Sequence, residues 1–269
     1  MSLRVWALAS GSSGNSFLVQ GGNTTVLLDA GFPMRTIRGK IASVGVDPAL
    51  VEAVFLTHEH SDHVGGVGPV CRAFKVPLVA NAATLRAAAR VAGSTEAMEM
   101  PTGTEIQIGD LRVASFAVSH DAAEPVGYTF QCGPHKACYA TDTGVFTEPL
   151  RAAMEGARLL ILESNHDIPR LQRSAYNDFL KRRILGDSGH LSNDAAADAI
   201  AAHSLRNDPA EVWLAHLSAE NNSPRLAMKA AVGALRAGRP ENIRLFVAQR
   251  DVVSRHWDSG ANWWQKSLF

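Results

Sequence analysis

Short apolar runs separated by turn residues occupy the first part of the chain: Leu3 to Leu8, Phe17 to Gln20, Thr24 to Asp29, Ala53 to Thr57 and Pro77 to Ala80. Their brevity and their Val, Leu and Ile content predict strands. Between them Arg35 to Val44, Val64 to Phe74 and Ala82 to Ala92 carry a helical period. A second series begins near Ile106. Here Leu111 to Val118, Val126 to Cys132 and Ala137 to Ala140 predict antiparallel strands, the last two joined by the turn Gly133-Pro134-His135-Lys136. Leu159 to Glu163, Val212 to Ala215 and Ile243 to Ala248 predict further strands. Pro149 to Glu155, Ala175 to Leu185, Asn193 to His203 and Pro224 to Ala237 predict helices. Strands open each half and helices follow, an order that suits two sheets packed face to face with helices outside and suits a single Rossmann sheet poorly.

Composition narrows this only slightly. The 269 residues are 46% hydrophobic and 19% charged with a formal net charge of zero, which predicts one domain over 1–269 with a large core. A balanced charge gives no global pull toward nucleic acid or anionic membrane, so any polyanion contact must come from a local patch. The start, MSLRVWALAS, is too short an apolar run for a signal peptide, and no stretch approaches the roughly 18 apolar residues of a membrane span. A cytoplasmic protein without a membrane partner is expected; oligomeric state is open. Cys71, Cys132 and Cys138 are widely spaced and form no C-x-x-C pair, so they read as core thiols.

Chemistry enters with Thr57-His58-Glu59-His60-Ser61-Asp62-His63, which directly follows the buried-strand pattern Ala53-Val54-Phe55-Leu56. So many ionisable groups at the end of an apolar strand are costly unless something compensates, and a divalent cation does so directly. On an extended or turning segment His58 and His60 project to one side, while Asp62 and His63 begin the next helix and face a second point, which gives two metal positions. Further ligands stand where other strands run out: His120 after Leu111 to Val118, Asp142 after Tyr139-Ala140-Thr141, and His216 after Val212 to Ala215. His135 in a hairpin turn, His203 at a helix end and His256 in the tail read as ordinary surface residues.

The H-x-H-x-D-H motif after a strand, a later His, the Asp of Thr141-Asp142-Thr143-Gly144 and a last His together resemble the metallo-β-lactamase superfamily. The resemblance runs through most of the chain and implies a four-layer αββα sandwich, an α/β fold. It implies His58, His60 and His120 as ligands of one metal and Asp62, His63 and His216 as ligands of the other, with Asp142 bridging. Two divalent ions so placed, zinc, manganese or iron, can lower the pKa of a shared water and clamp both oxygens of a displacement. Hydrolysis is then the expected reaction, with Asp62 both binding metal and orienting the water.

Leu162-Glu163-Ser164-Asn165-His166-Asp167 follows a strand, and Gly189-His190-Leu191-Ser192-Asn193-Asp194 opens a helix with Ser192 or Asn193 as N-cap. This Glu163 and His190 pair resembles the phosphodiesterase branch of the superfamily, which includes ribonuclease Z. It implies that His190 acts on the phosphate or leaving group, supported by Glu163, without binding metal. No long inserted arm of the kind that grips tRNA is present. Ser10-Gly11-Ser12-Ser13-Gly14-Asn15-Ser16 is either a phosphate cradle built from backbone N–H groups or a tight hairpin. With Leu28-Asp29-Ala30-Gly31 and Ala215-His216-Leu217-Ser218-Ala219-Glu220-Asn221-Asn222, it resembles the bacterial YycJ or WalJ type, relatives of the PhnP phosphodiesterase, and implies nuclease activity on DNA. Arg170, Arg173, Lys181, Arg182 and Arg183 either flank the cleft and contact a nucleic acid backbone or form a solvated helix face. A nucleic acid substrate, DNA before RNA, is therefore expected. The alternatives are a small phosphodiester such as a cyclic nucleotide and, further off, a thioester or lactone. The tail from His256 to Phe269, with Trp257, Trp263 and Trp264, caps the core or forms an oligomer contact.

Overall fold

The structure is a computed structural model that describes residues 1–204, 210–236 and 242–261. The first half of the chain runs β1 (Leu3–Ala9), β2 (Ser16–Gly21), β3 (Thr24–Leu28), α1 (Met34–Ser43), β4 (Val51–Phe55), α2 (Ser61–Val64), α3 (Val67–Phe74), β5 (Leu78–Ala80), α4 (Ala82–Ala92) and β6 (Ala97–Glu99). The second half runs β7 (Glu105–Ile108), β8 (Leu111–Ala117), β9 (Val126–Cys132), β10 (His135–Ala140), α5 (Glu148–Met154), β11 (Leu159–Glu163), α6 (Ile168–Arg173), α7 (Asp178–Leu185), α8 (Asn193–Ser204), β12 (Ala210–Ala215), α9 (Pro224–Leu235), β13 (Ile243–Val247) and β14 (Arg255–Asp258).

These strands form two seven-stranded sheets, in the orders β14-β1-β2-β3-β4-β5-β6 and β13-β12-β11-β10-β9-β8-β7. The apolar runs are continuous because the strands are covered on both faces. Phe17, Val19, Val26, Leu28 and Phe55 point between the sheets and meet Val113, Tyr128, Phe130, Tyr139, Ile161 and Trp213 of the other sheet. The alternate residues Leu18, Leu27, Val54 and Leu56 face outward and are covered by Ile37, Ile41, Val67, Val70 and Ala88 of α1, α3 and α4. On the far side Leu160, Leu162, Val212 and Leu214 are covered by α5, α8 and α9 through Leu150, Ile200 and Ala231. Four layers result, helix, sheet, sheet, helix, as the family resemblance implies. Edge-to-face contacts tie the middle layers, with Phe17 and Tyr139 ring centres 5.0 Å apart and Phe55 and Tyr128 5.5 Å apart.

Several expected boundaries move. The predicted helix Val64 to Phe74 is divided at Gly65-Gly66 into α2 and α3. The Ala175 to Leu185 helix begins only at Asp178, where the Asn177 side chain caps it by accepting from Leu180 N–H. Three elements were not legible: β6, whose side chains are all exposed, the six-residue α6, and β14, which lies in the expected tail and pairs with β1. His203 is buried, 4% exposed, and so is no surface residue. Ala237, Trp263 and Trp264 lie outside the described residues, while Trp257 is buried in the core between the sheets. All three cysteines are free and buried, as read. Among the described residues no helix is long and apolar enough to cross a membrane.

Parallel pairing in both sheets, β3 with β4 and β5, and β10 with β11, β12 and β13, sends the C-terminal ends of these strands toward the loops that carry the candidate residues. Close backbone approach holds those loops together. A Cβ on Gly31 would stand 1.8 Å from the Asp62 carbonyl oxygen and 2.8 Å from Asn15 N. Gly31→Ala is expected to destabilise the fold by about 1–3 kcal/mol, the usual cost of overpacking, and to loosen the His58 to His63 turn. A lowered urea midpoint together with reduced metal retention checks this; an unchanged midpoint refutes it.

Candidate metal centre

Segments that follow strands supply the seven expected metal ligands. The turn after β4 carries His58, His60, Asp62 and His63; His120 follows β8, Asp142 follows β10 and His216 follows β12. Asp29, Asp142 and His216 each stand within two residues of a strand end with left-handed φ of 55°, 55° and 54°. Among the described residues the only other non-glycine with positive φ is Lys75, a helix C-cap. A left-handed residue breaks the strand at once and swings its side chain into the cleft, at a conformational cost of about 1–3 kcal/mol that surrounding contacts must offset.

Hydrogen bonds to Nδ1 then fix which nitrogen each imidazole presents. His63 Nδ1–H donates to Asp29 Oδ2 at 2.8 Å, and Asp29 is held in turn by the Thr57 N–H at 2.9 Å and the Thr57 hydroxyl. With its proton given to Asp29, the Thr57 hydroxyl oxygen accepts from His58 Nδ1 at 3.0 Å. His120 Nδ1–H donates to the Gly189 carbonyl at 2.9 Å. His216 Nδ1–H donates to Glu163 Oε1 at 2.8 Å, and His190 Nδ1–H donates to the same oxygen at 2.9 Å. The His58, His63, His120 and His216 rings are thereby held through Nδ1 with Nε2 turned toward a ligand, the outer-shell arrangement typical of metal-binding histidines.

Four groups of donor atoms converge: His58, His60 and His120; Asp62, His63 and His216; His58, His63 and Asp142; and Asp142, Glu163, His190 and His216. The first two are the triads that the family resemblance implies. Asp142 touches both, with Oδ2 3.1 Å from His63 Nε2 and Oδ1 3.3 Å from His216 Nδ1 and 3.8 Å from His120 Nε2. His60 Nδ1 and His120 Nε2 lie 3.2 Å apart, a distance that two lone pairs tolerate only with a proton or a cation between them. His58 Nε2, His216 Nε2 and Asp142 Oδ2 are buried without hydrogen-bond partners. Unsatisfied, such atoms cost about 1–3 kcal/mol each; nitrogen and carboxylate donors of this kind fit a divalent metal ion.

Electrostatics point the same way. Burial disfavours a charge on His63, yet Asp29 and Asp142 hold its pKa up at about 10. Burial would raise Asp142, but His216 and His63 keep it well below the usual carboxylate range. Burial would likewise raise Glu163, and the His190 and His216 rings beside it bring it to about 2. Buried carboxylates that stay ionised draw positive charge into the cleft, from imidazolium or from metal. His58 is the contrast: burial and the neighbouring His63 keep it neutral, as a ligand must be.

Not every ionisable residue nearby joins this group. Glu59 accepts the Ala123 N–H at 2.8 Å. His166 is buried beside the site, its pKa lowered to about 4 by burial, and belongs to none of the donor groups. The Ser10 to Ser16 loop is a tight turn, not an open cradle: Gly11 N–H is bound by the Asn15 side chain, Gly14 N–H by the Gly11 carbonyl and Asn15 N–H by the Asp62 carbonyl. Its Asn15 amide donates to Asp62 Oδ2 at 3.2 Å and lies 3.0 Å from His63 Nε2, while Ser12 lines the cleft. Ser192 is the cap that starts α8, accepting from Ala195 N–H, and Asn193 turns inward to Ser164 and Asn222. Of the five basic residues between 170 and 183 only Arg183 lines the cleft, paired with Asp121; Arg170 and Arg173 line a separate one.

A cleft of about 290 Å³ opens over His60, Asp62, His120, Asp142, His190 and His216. Set between two strand-end arrays in a four-layer sandwich, it defines a metal-dependent hydrolase. Residues 24–217 match the Beta-lactamase superfamily domain, and the chain belongs to that superfamily. It is 36% identical over 230 residues to the exodeoxyribonuclease YycJ of Bacillus anthracis, covering 84% of this chain and 87% of the relative. It is 37% identical over 233 residues to the exodeoxyribonuclease WalJ of Streptococcus pneumoniae, covering 85% and 86%. Its fold matches the metallo-beta-lactamase fold protein YhfI of Bacillus subtilis with a TM-score of 0.73 at 18% identity, over 96% of this chain and 99% of that one.

Asp29 tests the outer shell. Asp29→Ala removes the acceptor of His63 Nδ1 and of Thr57, and is expected to weaken metal affinity about 10- to 100-fold in competition with a chelator. Unchanged affinity refutes the assignment.

Proposed function

We propose that the protein is a two-metal phosphodiesterase that hydrolyses DNA. The observation that carries this is the Glu163–His190 pair set at the rim of the donor cluster, an acid positioned beside a metal cleft. Relatives named exodeoxyribonucleases over more than four-fifths of both chains support DNA as the polymer.

His58, His60 and His120 would hold one cation and Asp62, His63 and His216 the other, with Asp142 between them; the nitrogen and oxygen donors suit zinc or manganese, then iron. When bound, the pair of cations supplies Lewis-acid stabilisation of phosphoryl charge and brings the pKa of water toward neutrality. The remaining steps belong to side chains. Asp62, 20% exposed and steadied by the Asn15 amide, orients the attacking water and takes its proton. Burial disfavours the His190 imidazolium, but Glu163 and Asp142 raise its pKa, so the ring enters the reaction as a proton donor. Its Nε2–H gives a proton to the departing deoxyribose oxygen, and Glu163 fixes the ring throughout.

Incubation of the metal-loaded protein with end-labelled DNA, RNA and cyclic nucleotides side by side tests the substrate. DNA is expected to be shortened fastest; turnover confined to the cyclic nucleotides refutes the reading. Asp142→Ala is expected to fold, hold less metal and lose almost all hydrolysis, and full activity in that variant removes the bridge. His190→Ala is expected to retain its full metal complement yet lose about 10²- to 10⁴-fold in turnover of DNA. The loss should be smaller for bis(p-nitrophenyl) phosphate, whose p-nitrophenolate hardly needs a proton. A metal-depleted variant, or equal loss on both substrates, makes His190 a ligand or a phosphate clamp instead.

A further inference from the structure

Helix α7 joins the cleft to an exposed surface of unusual composition. Between residues 168 and 185 the cations Arg170, Arg173, Lys181, Arg182 and Arg183 face the single acid Asp178, in a chain whose formal net charge is zero. Arg183 reaches the cleft wall, where its Nε is held by Asp121. One turn earlier, at i−4 and so on the same helix face, stands Phe179, 72% exposed. Among the described residues it is the only aromatic among the exposed large hydrophobic side chains. Beyond it Arg170, Arg173, Ser174, Tyr176 and Glu220 line an open cleft of about 280 Å³. Lys181 Nζ donates to the Gln172 carbonyl and ties α7 to the end of α6.

A phenyl ring left in water among cations is poorly suited to an apolar protein partner and well suited to an unpaired nucleic acid strand, which offers alternating phosphates and π-faces. We propose that α7 guides an unpaired polynucleotide strand away from the cleft, with Arg183 on a phosphate next to the scissile one and Phe179 stacked on the adjoining base. Arg183 and Phe179 stand four residues apart on α7, roughly 6 Å at 1.5 Å per helical residue, a separation that fits a phosphate and the adjoining base. The neighbouring cations draw the backbone along this line, and the aromatic ring takes any base, because stacking does not depend on base identity. The inference rests on the nucleic acid reading above and adds to it the form of the substrate, a single strand, and the path it takes.

The test measures KM and kcat for single-stranded oligonucleotides of two and ten nucleotides and turnover of bis(p-nitrophenyl) phosphate, in the metal-loaded wild type, Phe179→Ala and Phe179→Trp. Phe179→Ala is expected to raise KM for the ten-nucleotide strand about 5- to 150-fold, the equivalent of one lost base stack. Metal content and turnover of bis(p-nitrophenyl) phosphate should stay unchanged, and Phe179→Trp should restore the low KM. If the wild type shortens the strand and Phe179→Ala does so with the same KM, the stacking role is overturned while the nuclease reading stands. If the wild type shortens end-labelled duplex DNA but no single-stranded oligonucleotide, this inference falls and the nuclease reading stands; if it hydrolyses bis(p-nitrophenyl) phosphate but neither form of DNA, both fall.

Discussion

Four imidazoles in the cleft are held through Nδ1 by Asp29, the Thr57 hydroxyl, the Gly189 carbonyl and Glu163, and each therefore presents Nε2. The rest of the centre depends on this choice of tautomer. A histidine free to rotate or to swap its proton would pair with the nearest carboxylate and close the cleft on itself. Asp29 prevents that for His63 by taking Nδ1, and Glu163 does so for His216 and His190 with one oxygen while its other oxygen accepts the Thr143 and Leu191 N–H groups. A carboxylate with four donors stays ionised in a buried position, where burial alone would protonate it. The strain at Asp29, Asp142 and His216 follows from the same demand, since only an abrupt left-handed turn at a strand end places these side chains side by side.

The sequence carried the layers well, because strands covered on both faces leave unbroken apolar runs that are hard to mistake. It also carried the cluster after β4, and it placed His120, Asp142 and His216 by the simple rule that loops collect where strands end. The supporting shell was harder. Asp29 enters the sequence reading only within Leu28-Asp29-Ala30-Gly31, one stretch of the family resemblance, with no role attached; its partner His63 is 34 positions away. Asn15 lay inside a stretch rich in glycine and serine whose backbone suggested an anion site, yet most of those N–H groups are used within the turn and against the Asp62 carbonyl. His203 shows the opposite error: a polar residue near a helix end reads as solvated, but it is buried at the end of α8, lining a cavity with Arg151 and Met154 of α5. Edge elements such as β6 and β14 escape for a different reason, since a short strand pairing on one side needs little apolar character.

Neither half of the sandwich contains the centre alone. The first sheet brings Asp29, His58, His60, Asp62 and His63, and the second brings His120, Asp142, Glu163 and His216, with His190 from the loop before α8. The seam between them is fastened just below the cleft. Tyr128 O–H donates to the Leu56 carbonyl at 2.9 Å, Val126 N–H to the Thr57 carbonyl at 3.1 Å, and His216 N–H to the Ser10 hydroxyl oxygen at 2.9 Å. Ser10 heads the same loop whose Asn15 steadies Asp62, so the backbone at His216 and the side chain of Asp62, both in the second proposed ligand set, are registered by one turn of chain. Metal binding at such a seam necessarily stabilises the packing of the two sheets, because ligands from both are fully assembled only when both are folded and docked. The geometry of the reacting centre and the stability of the sandwich are thus set by the same contacts. That coupling explains how the left-handed conformations of Asp29, Asp142 and His216 persist among the hydrogen bonds that hold the centre.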